Sequence, residues 1–282
     1  TLYYTYDFFA LYANIDGYQH RADQQIPLAE REELDRWILS VLNSTLKEVR
    51  AAFDDYDPTR AARAVQEFVG EQLSNWYVRL SRRRFWKGEM NADKQAAYDT
   101  LYTCLMTVSQ MMAPIAPFLS DWLYRNLTQH LSDDAKQLSV HLTDLVKVDE
   151  SAIDTALEQR MEMAQRVCSL GRSIRRQHKL KVRQPLARVM IPVLDKSVEE
   201  QINAVEDIIL SELNIKRIHF VGDDDDENVI VKKIKPNFRT LGPKLGPNMK
   251  EVANQVNAFT QADINQLESA GSYTINYGDG ES

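Results

Sequence analysis

Between residues 28 and 56 the apolar positions Leu34, Ile38, Val41, Val49, Ala52 and Tyr56 recur at steps of three and four. That spacing is one face of a long amphipathic helix. Asp57 and Pro58 then supply a cap and a first-position proline for a second helix. It is expected to run to about residue 86, with Val65, Val69, Leu73, Trp76 and Leu80 inward and Gly88 as its stop. A third helix is expected over 92–112 on Leu101, Leu105, Val108 and Met112. Pro114 and Pro117 break it, and a fourth segment follows over 118–131 with Leu119, Leu123 and Leu127 inward. Four such elements with short connections predict an antiparallel helical bundle over 28–148.

After the polar stretch 132–137 the pattern changes. A helix over 151–178 leads into a Val- and Ile-rich strand at 186–193, and a helix over 198–213 follows. Strand-like runs at 215–221 and 229–234 flank an acidic stretch, 223–227, that reads as a hairpin loop. Helical pieces at 247–259 and 262–269 precede a last strand at 273–277. The chain therefore reads as mainly α, a helical bundle followed by a small α+β domain over 149–282. Residues 1–18 carry Leu2, Tyr3, Tyr4, Tyr6, Phe8, Phe9, Leu11 and Tyr12. Such a segment covers a core, either that of this bundle or that of a preceding domain, and 1–27 is set apart as a junction segment.

The 282 residues are enough for two domains, and 44% hydrophobic with 27% charged residues is globular composition. Ten glycines and nine prolines favour long helices over a turn-rich β-protein. No run of about 18 apolar residues is present, so no membrane span is expected. Cys104 and Cys168 give neither a disulfide framework nor a zinc knuckle, which favours a reducing, cytoplasmic setting and predicts no metal site. His20, His130, His141, His178 and His219 form no H-x-x-x-H or H-E-x-x-H pair, and there is no G-x-S-x-G, P-loop or G-x-G-x-x-G. The glycines of 241–247 share their stretch with Pro243 and Pro247, which remove N–H donors that a phosphate cradle needs. No catalytic residue is expected in this chain.

The charge is more telling. The total is acidic, with 34 Lys and Arg against 41 Asp and Glu and a net charge of −7. Yet nineteen of the 34 basic residues fall in three stretches, 79–87, 165–190 and 232–250, and the first two contain no acid. Segregation of this kind creates a local field that attracts phosphates. Trp76, Tyr77, Phe85, Trp86 and Phe238 lie among them, and bases stack on such rings. Two readings stand side by side: an RNA-binding surface, or a helical protein-interaction module whose basic faces are incidental.

Particular residues then narrow the choice. The stretch Tyr56-Asp57-Pro58-Thr59-Arg60-Ala61-Ala62-Arg63, followed by the stretch from Ser74-Asn75-Trp76-Tyr77 to Arg82-Arg83-Arg84-Phe85-Trp86, closely resembles isoleucyl-tRNA synthetases. Leu34-Asp35-Arg36-Trp37-Ile38-Leu39-Ser40 fits the start of the same family's anticodon-binding helical domain. Ala113-Pro114-Ile115-Ala116-Pro117-Phe118 resembles the proline-broken helix of class Ia synthetases. Lys181-Val182-Arg183-Gln184-Pro185-Leu186, Glu212-Leu213-Asn214-Ile215-Lys216 and Lys235-Pro236-Asn237-Phe238 are similar to the family's C-terminal region, in order. The likeness spans essentially the whole chain.

What it implies is the part of the synthetase that holds the anticodon arm of an isoleucine tRNA. The family's HIGH-type and KMSKS-type motifs are not in the sequence, and the resemblance assigns isoleucine activation, with ATP and Mg, to catalytic and editing domains elsewhere in the polypeptide. The chain reads as starting just after the KMSKS region, as inactive alone, as monomeric, and as close to the zinc-free members. Arg79, Arg82, Arg83 and Lys87 are expected to position phosphates, since they point away from the inward stripe. Phe85 and Trp86 are candidates for stacking on an unpaired base, against the alternative of helix-end packing. Arg172, Arg175, Arg176, Lys179, Lys181 and Arg183 form a second expected phosphate surface, to which Lys235 is added. Asn237 and Arg239 are candidates for base contacts.

Overall fold

A computed structural model describes residues 1–193, 196–222, 233–277 and 280–281. The acidic hairpin loop at 223–227, most of the strand at 229–234, and Lys232 lie outside the described residues. The chain divides into two compact units, Thr1–Leu170 and Gly171–Ser282. That division falls inside a helix and some way beyond the 148/149 boundary expected from the pattern.

The first unit is helical. Its elements are α1 (Leu2–Asp16), α2 (Glu33–Asp54), α3 (Pro58–Glu67), α4 (Arg79–Trp86), α5 (Ala92–Met112) and α6 (Pro117–Thr128), followed by the start of α7 (Thr155–Gln177). Asp57 caps α3, its side chain accepting from the Arg60 amide at 2.9 Å with Pro58 in the first turn. Asn91 caps α5 in the same way, at 2.8 Å from the Lys94 amide. The helix expected over 58–86 is continuous but not uniform: Phe68–Val78 between α3 and α4 winds as a π-helix. Its wider turn buries adjacent residues in pairs, Phe68 with Val69 and Trp76 with Tyr77. α5 is buried almost all round, from Ala96 to Met111, which makes it the central helix against which α1, α2, α3, α4 and α6 pack.

Two inward expectations fail. Tyr56 is 93% exposed, because α2 ends at Asp54 and Tyr56 lies beyond it at φ 55. Leu119 is exposed, since the inward face of α6 is set by Ser120, Leu123 and Leu127.

The aromatic N-terminal segment packs on this bundle along one face. Thr5, Phe9 and Ala13 of α1 are buried, and Phe8 meets Phe85 edge-on with centroids 5.2 Å apart. Asp16 accepts from Lys94 at 2.6 Å and from the Tyr98 hydroxyl at 2.5 Å. Asp99, fully buried in α5, accepts from the Tyr18 hydroxyl at 2.8 Å and the Ile26 amide at 3.3 Å. Residues 17–27 are thus tied to the bundle by charged groups that have left water.

The second unit holds the end of α7 and a parallel pair of strands. β1 (Val189–Pro192) and β2 (Ile218–Val221) run from Val189 opposite Ile218 to Pro192 opposite Val221. The crossover between them is α8 (Lys196–Asn203) and α9 (Glu206–Leu213), where one helix was expected. α10 (Phe238–Leu245) and α11 (Met249–Asn257) then share a cluster of Leu245, Met249, Val252, Ala253 and Val256, and α12 (Gln261–Ala270) follows. α10 was not expected; Asn237 caps it, and Pro243 sits inside it. The last strand is short: β3 (Asn276–Tyr277) pairs antiparallel with β4 (Gly280–Glu281).

Candidate nucleic-acid interface

In the first unit the expected phosphate contacts gather on α4. Arg79, Arg82, Arg83 and Lys87 are all exposed, as is Trp86 at 57%. The Arg79 guanidinium stands over the Trp76 ring at 5.6 Å, and Arg82 stands over Phe8 at 5.7 Å. Arg82, Arg83 and Lys87 have no ion-pair partner among the described residues, unlike Lys47, Arg60, Arg125 and Arg166, which meet carboxylates. The cations lie at the carbonyl end of the helix, where positive charge is favoured. Gly88, at φ 80, follows the helix end.

Phe85 is corrected. It is fully buried, edge-on to Phe8 and to Tyr98 at 5.0 Å, so it offers no face to a base. Trp86 is left as the stacking candidate on this helix.

Between exposed Arg83 and Lys87 sits an arginine of a different kind. Arg84 grips Asp35 of α2 with both terminal nitrogens, at 2.8 and 2.7 Å, and reaches Asp93 at 2.7 Å. The Tyr77 hydroxyl donates to the same Asp35 carboxylate at 2.6 Å. Asp35 is wholly buried and the Arg84 side chain 12% exposed. Burial works against the guanidinium charge, but the hydrogen bonds that Arg84 donates to Asp35 and Asp93 override it and hold Arg84 above its ordinary pKa. Burial and the Asp35 charge together push the Tyr77 phenol well up. This clasp fixes the rotation of α4 about its axis, and with it the outward direction of Arg82, Arg83 and Lys87. The signal was present: Arg84 lies four residues beyond Leu80 and eight beyond Trp76, on the inward stripe.

In the second unit Arg176, Lys179, Lys181 and Arg183 are exposed around the end of α7. Arg172 is only partly exposed and is ion-paired with Glu212, which neutralises it. Arg175 is corrected from a phosphate contact. It is 4% exposed and donates to the carbonyls of Lys181 and Gln184, both at 3.0 Å, and of Leu213 at 2.7 Å. Further along, Lys235, Asn237 and Arg239 are exposed. The Asn237 side-chain oxygen is engaged as the cap of α10, accepting from the Arg239 and Thr240 amides at 3.2 and 3.4 Å. The side-chain oxygen is committed to the cap, which leaves the expected base contact to the amide nitrogen alone.

Cys104 and Cys168 are both buried, and burial pushes the Cys104 thiol far up. No group of three or more His, Cys, Asp or Glu suited to a metal occurs among the described residues. No helix among them is long and apolar enough to cross a membrane.

The first unit is thus a helical bundle whose α4 ends in exposed cations. Residues 35–191 match the family model of the anticodon-binding domain of tRNA ligases, and the chain belongs to that family. At the level of whole proteins it is similar to isoleucine–tRNA ligases. That of Porphyromonas gingivalis is 53% identical over 275 residues, which is 98% of this chain and 23% of that protein. That of Cytophaga hutchinsonii is 52% identical over 95% of this chain and 24% of its own length. That of Bacteroides fragilis is 49% identical over the whole chain and 24% of its own length. The chain thus spans about a quarter of the length of the curated relatives it matches.

Proposed function

We propose that this chain is the part of an isoleucine–tRNA ligase that grips the anticodon arm of its tRNA. The observation that carries the reading is the cluster of Arg82, Arg83 and Lys87 beside an exposed Trp86. These cations are exposed and unpaired among the described residues, within a chain that belongs to the anticodon-binding family. Phosphates of the stem are met by α4, and Trp86 offers a stacking plane to a splayed base. The exposed Arg176, Lys179, Lys181 and Arg183 of the second unit, with Lys235 and Arg239, supply further phosphate contacts. Arg84 and Asp35 act indirectly, by holding α4 in register.

The whole ligase would take isoleucine, ATP and Mg2+, and act in the cytoplasm. The role of this chain's residues is to bind and orient the RNA so that its acceptor end reaches catalytic groups elsewhere in the polypeptide. The test is binding of this chain to an isoleucine tRNA transcript, to the same transcript with an altered anticodon, and to an unrelated tRNA. Preference for the first that persists at about 200 mM salt supports the reading, whereas equal binding that collapses with salt reduces the surface to nonspecific electrostatics. Absence of binding at about 50 mM salt sinks it and favours a protein partner for the basic faces.

A further inference from the structure

Residues 181–186 and residues 212–216 meet at the basic loop after α7. Leu186 and Ile215 form a parallel bridge, the Leu186 amide donating to Asn214 at 3.1 Å and the Lys216 amide to Leu186 at 3.1 Å. Arg175 lies beneath both. Its guanidinium donates to the Lys181 and Gln184 carbonyls from one nitrogen, and to Leu213 and Asn214, at 2.7 and 3.3 Å, from the other. A planar fork of donors suits several carbonyls at once, which a lysine ammonium on a flexible stem does not.

The rest of the loop is held by bonds that depend on the same frame. α7 ends with the Leu180 amide donating back to the Arg175 carbonyl at 2.8 Å and with Lys179 at φ 54, a left-handed stop. The Gln184 amide closes a turn on Lys181 at 3.0 Å. The Asn214 side-chain amide donates to the Val182 carbonyl at 3.0 Å, with Asn214 itself at φ 49. Three cations at alternate positions, Lys179, Lys181 and Arg183, are exposed on this loop. None of them pairs with a carboxylate among the described residues. Their mutual repulsion would spread the loop unless its carbonyls were held from below.

We propose that Arg175 is a positioning residue for the RNA-binding loop: its buried guanidinium ties residues 181–184 to the turn at 213–214 and so presents Lys179, Lys181 and Arg183 as one preformed phosphate-binding edge. The inference rests on the anticodon-arm reading, since the ligand that such an edge takes is a polyanionic backbone. Preorganisation removes the ordering cost that a loose loop would meet on binding.

The experiment uses the full chain with an isoleucine tRNA transcript, in a cycle of four proteins: wild type, Arg175→Met, the triple change Lys179→Ala, Lys181→Ala and Arg183→Ala, and the two combined. Arg175→Met is expected to weaken binding by about tenfold, and to have no further effect once the three cations are gone. Arg175→Lys, which keeps the charge, is expected to lose most of the same affinity. Asn214→Gly retains the left-handed turn and the buried cation while removing the tie to Val182. It serves as the milder probe should Arg175→Met unfold the unit, and its smaller loss is likewise expected to vanish in the triple background. Hydrogen exchange of the amides at 180–184 is read in parallel and is expected to rise in both loosened variants. Effects of Arg175→Met and Asn214→Gly that add in full to the triple change would overturn the inference, as would Arg175→Lys binding like wild type. If wild type fails to bind tRNA at all, the anticodon-arm reading fails and this inference with it. Altered exchange without altered affinity overturns only the positioning role.

Discussion

The clasp between Asp35 and Arg84 can be broken from either side, and the two sides should not be equal. Asp35 is wholly buried and accepts three short hydrogen bonds, two from Arg84 and one from Tyr77. Removing Arg84 as Arg84→Met leaves that carboxylate with the Tyr77 hydroxyl alone, an uncompensated charge inside the bundle. Breaking a buried pair in this way costs about 3–5 kcal/mol, and the upper part of that range is expected here. Removing the acid as Asp35→Leu is milder, because Arg84 keeps Asp93 at 2.7 Å, whose side chain is 40% exposed and can share water. About 3 kcal/mol is expected for that change. At about 2–4 °C per kcal/mol for units of this size, the two variants should melt about 6–12 °C and 8–20 °C lower, Arg84→Met being the worse. The double variant replaces both charges with apolar groups and should recover a large part of the loss. Urea and thermal melts of the full chain, followed by near-ultraviolet circular dichroism, read all three. A loss below about 1 kcal/mol in both single variants, or a double variant no better than the worse single, would refute the view that this pair is a buried anchor.

His20 gives a pH dependence of known sign. Its burial, with the His130 and Arg31 charges and against the opposing pull of Asp99, lowers the imidazole below its ordinary 6.5. The unfolded chain therefore takes up the proton first, so the stabilisation is complete above 6.5 and is lost as pH falls from there through the lower folded value. His20→Phe, which keeps the stack on Tyr102 at 3.9 Å, should flatten that slope in melts between pH 7 and 5. Phe9→Ala should cost about 3–5 kcal/mol, and deletion of residues 1–18 should broaden the bundle's melt, because α1 buries Phe9 and Ala13 in it; an unchanged melt would return that helix to another domain. In the second unit, Gly171→Ala would set its new methyl carbon 2.7 and 2.8 Å from the two methyls of buried Leu213. It should destabilise by about 1–3 kcal/mol although alanine favours helices, and a rise in melting temperature would show that Leu213 can move aside.

The helices were legible where period and punctuation agreed. Residues 92–112 came out as expected because Asn91 caps one end and the proline pair closes the other, with a clear stripe between. Tyr56 was misplaced because periodicity alone does not reveal that α2 ends at Asp54. The second unit was harder. Its strands β1 and β2 are four residues long, pair in parallel across two helices, and rely on partners about thirty positions away that no local pattern encodes. α10 was hidden by Gly242 and Pro243, whose local preference is overridden by packing of Leu241 and Leu245 on α11.

The charged residues teach a related lesson. Composition identified the basic stretches, but it could not separate arginines that meet solvent from those that hold the fold. Helical phase could have done so. Arg84 continues the Trp76–Leu80 stripe, and Phe85 lies four residues beyond buried Ser81. Arg175 lies seven residues beyond Cys168, on the stripe of buried Leu157, Met161 and Ala164. An arginine on an inward stripe inside a basic run is an anchor whose partner lies far away in sequence. For Arg84 that partner, Asp35, is 49 residues distant and resembles any solvated acid of an amphipathic helix.

The measurement that tests the central claim most directly is the salt dependence of tRNA binding for wild type and for the variant Arg82→Ala, Arg83→Ala, Lys87→Ala. If these three residues each neutralise a phosphate, affinity falls across all tRNAs tested and the slope of log K against log salt becomes shallower by about three. The melt stays unchanged, since none of the three is buried. An unaltered slope and affinity, in a protein that still folds and still binds tRNA, would contradict the assignment of the anticodon arm to α4.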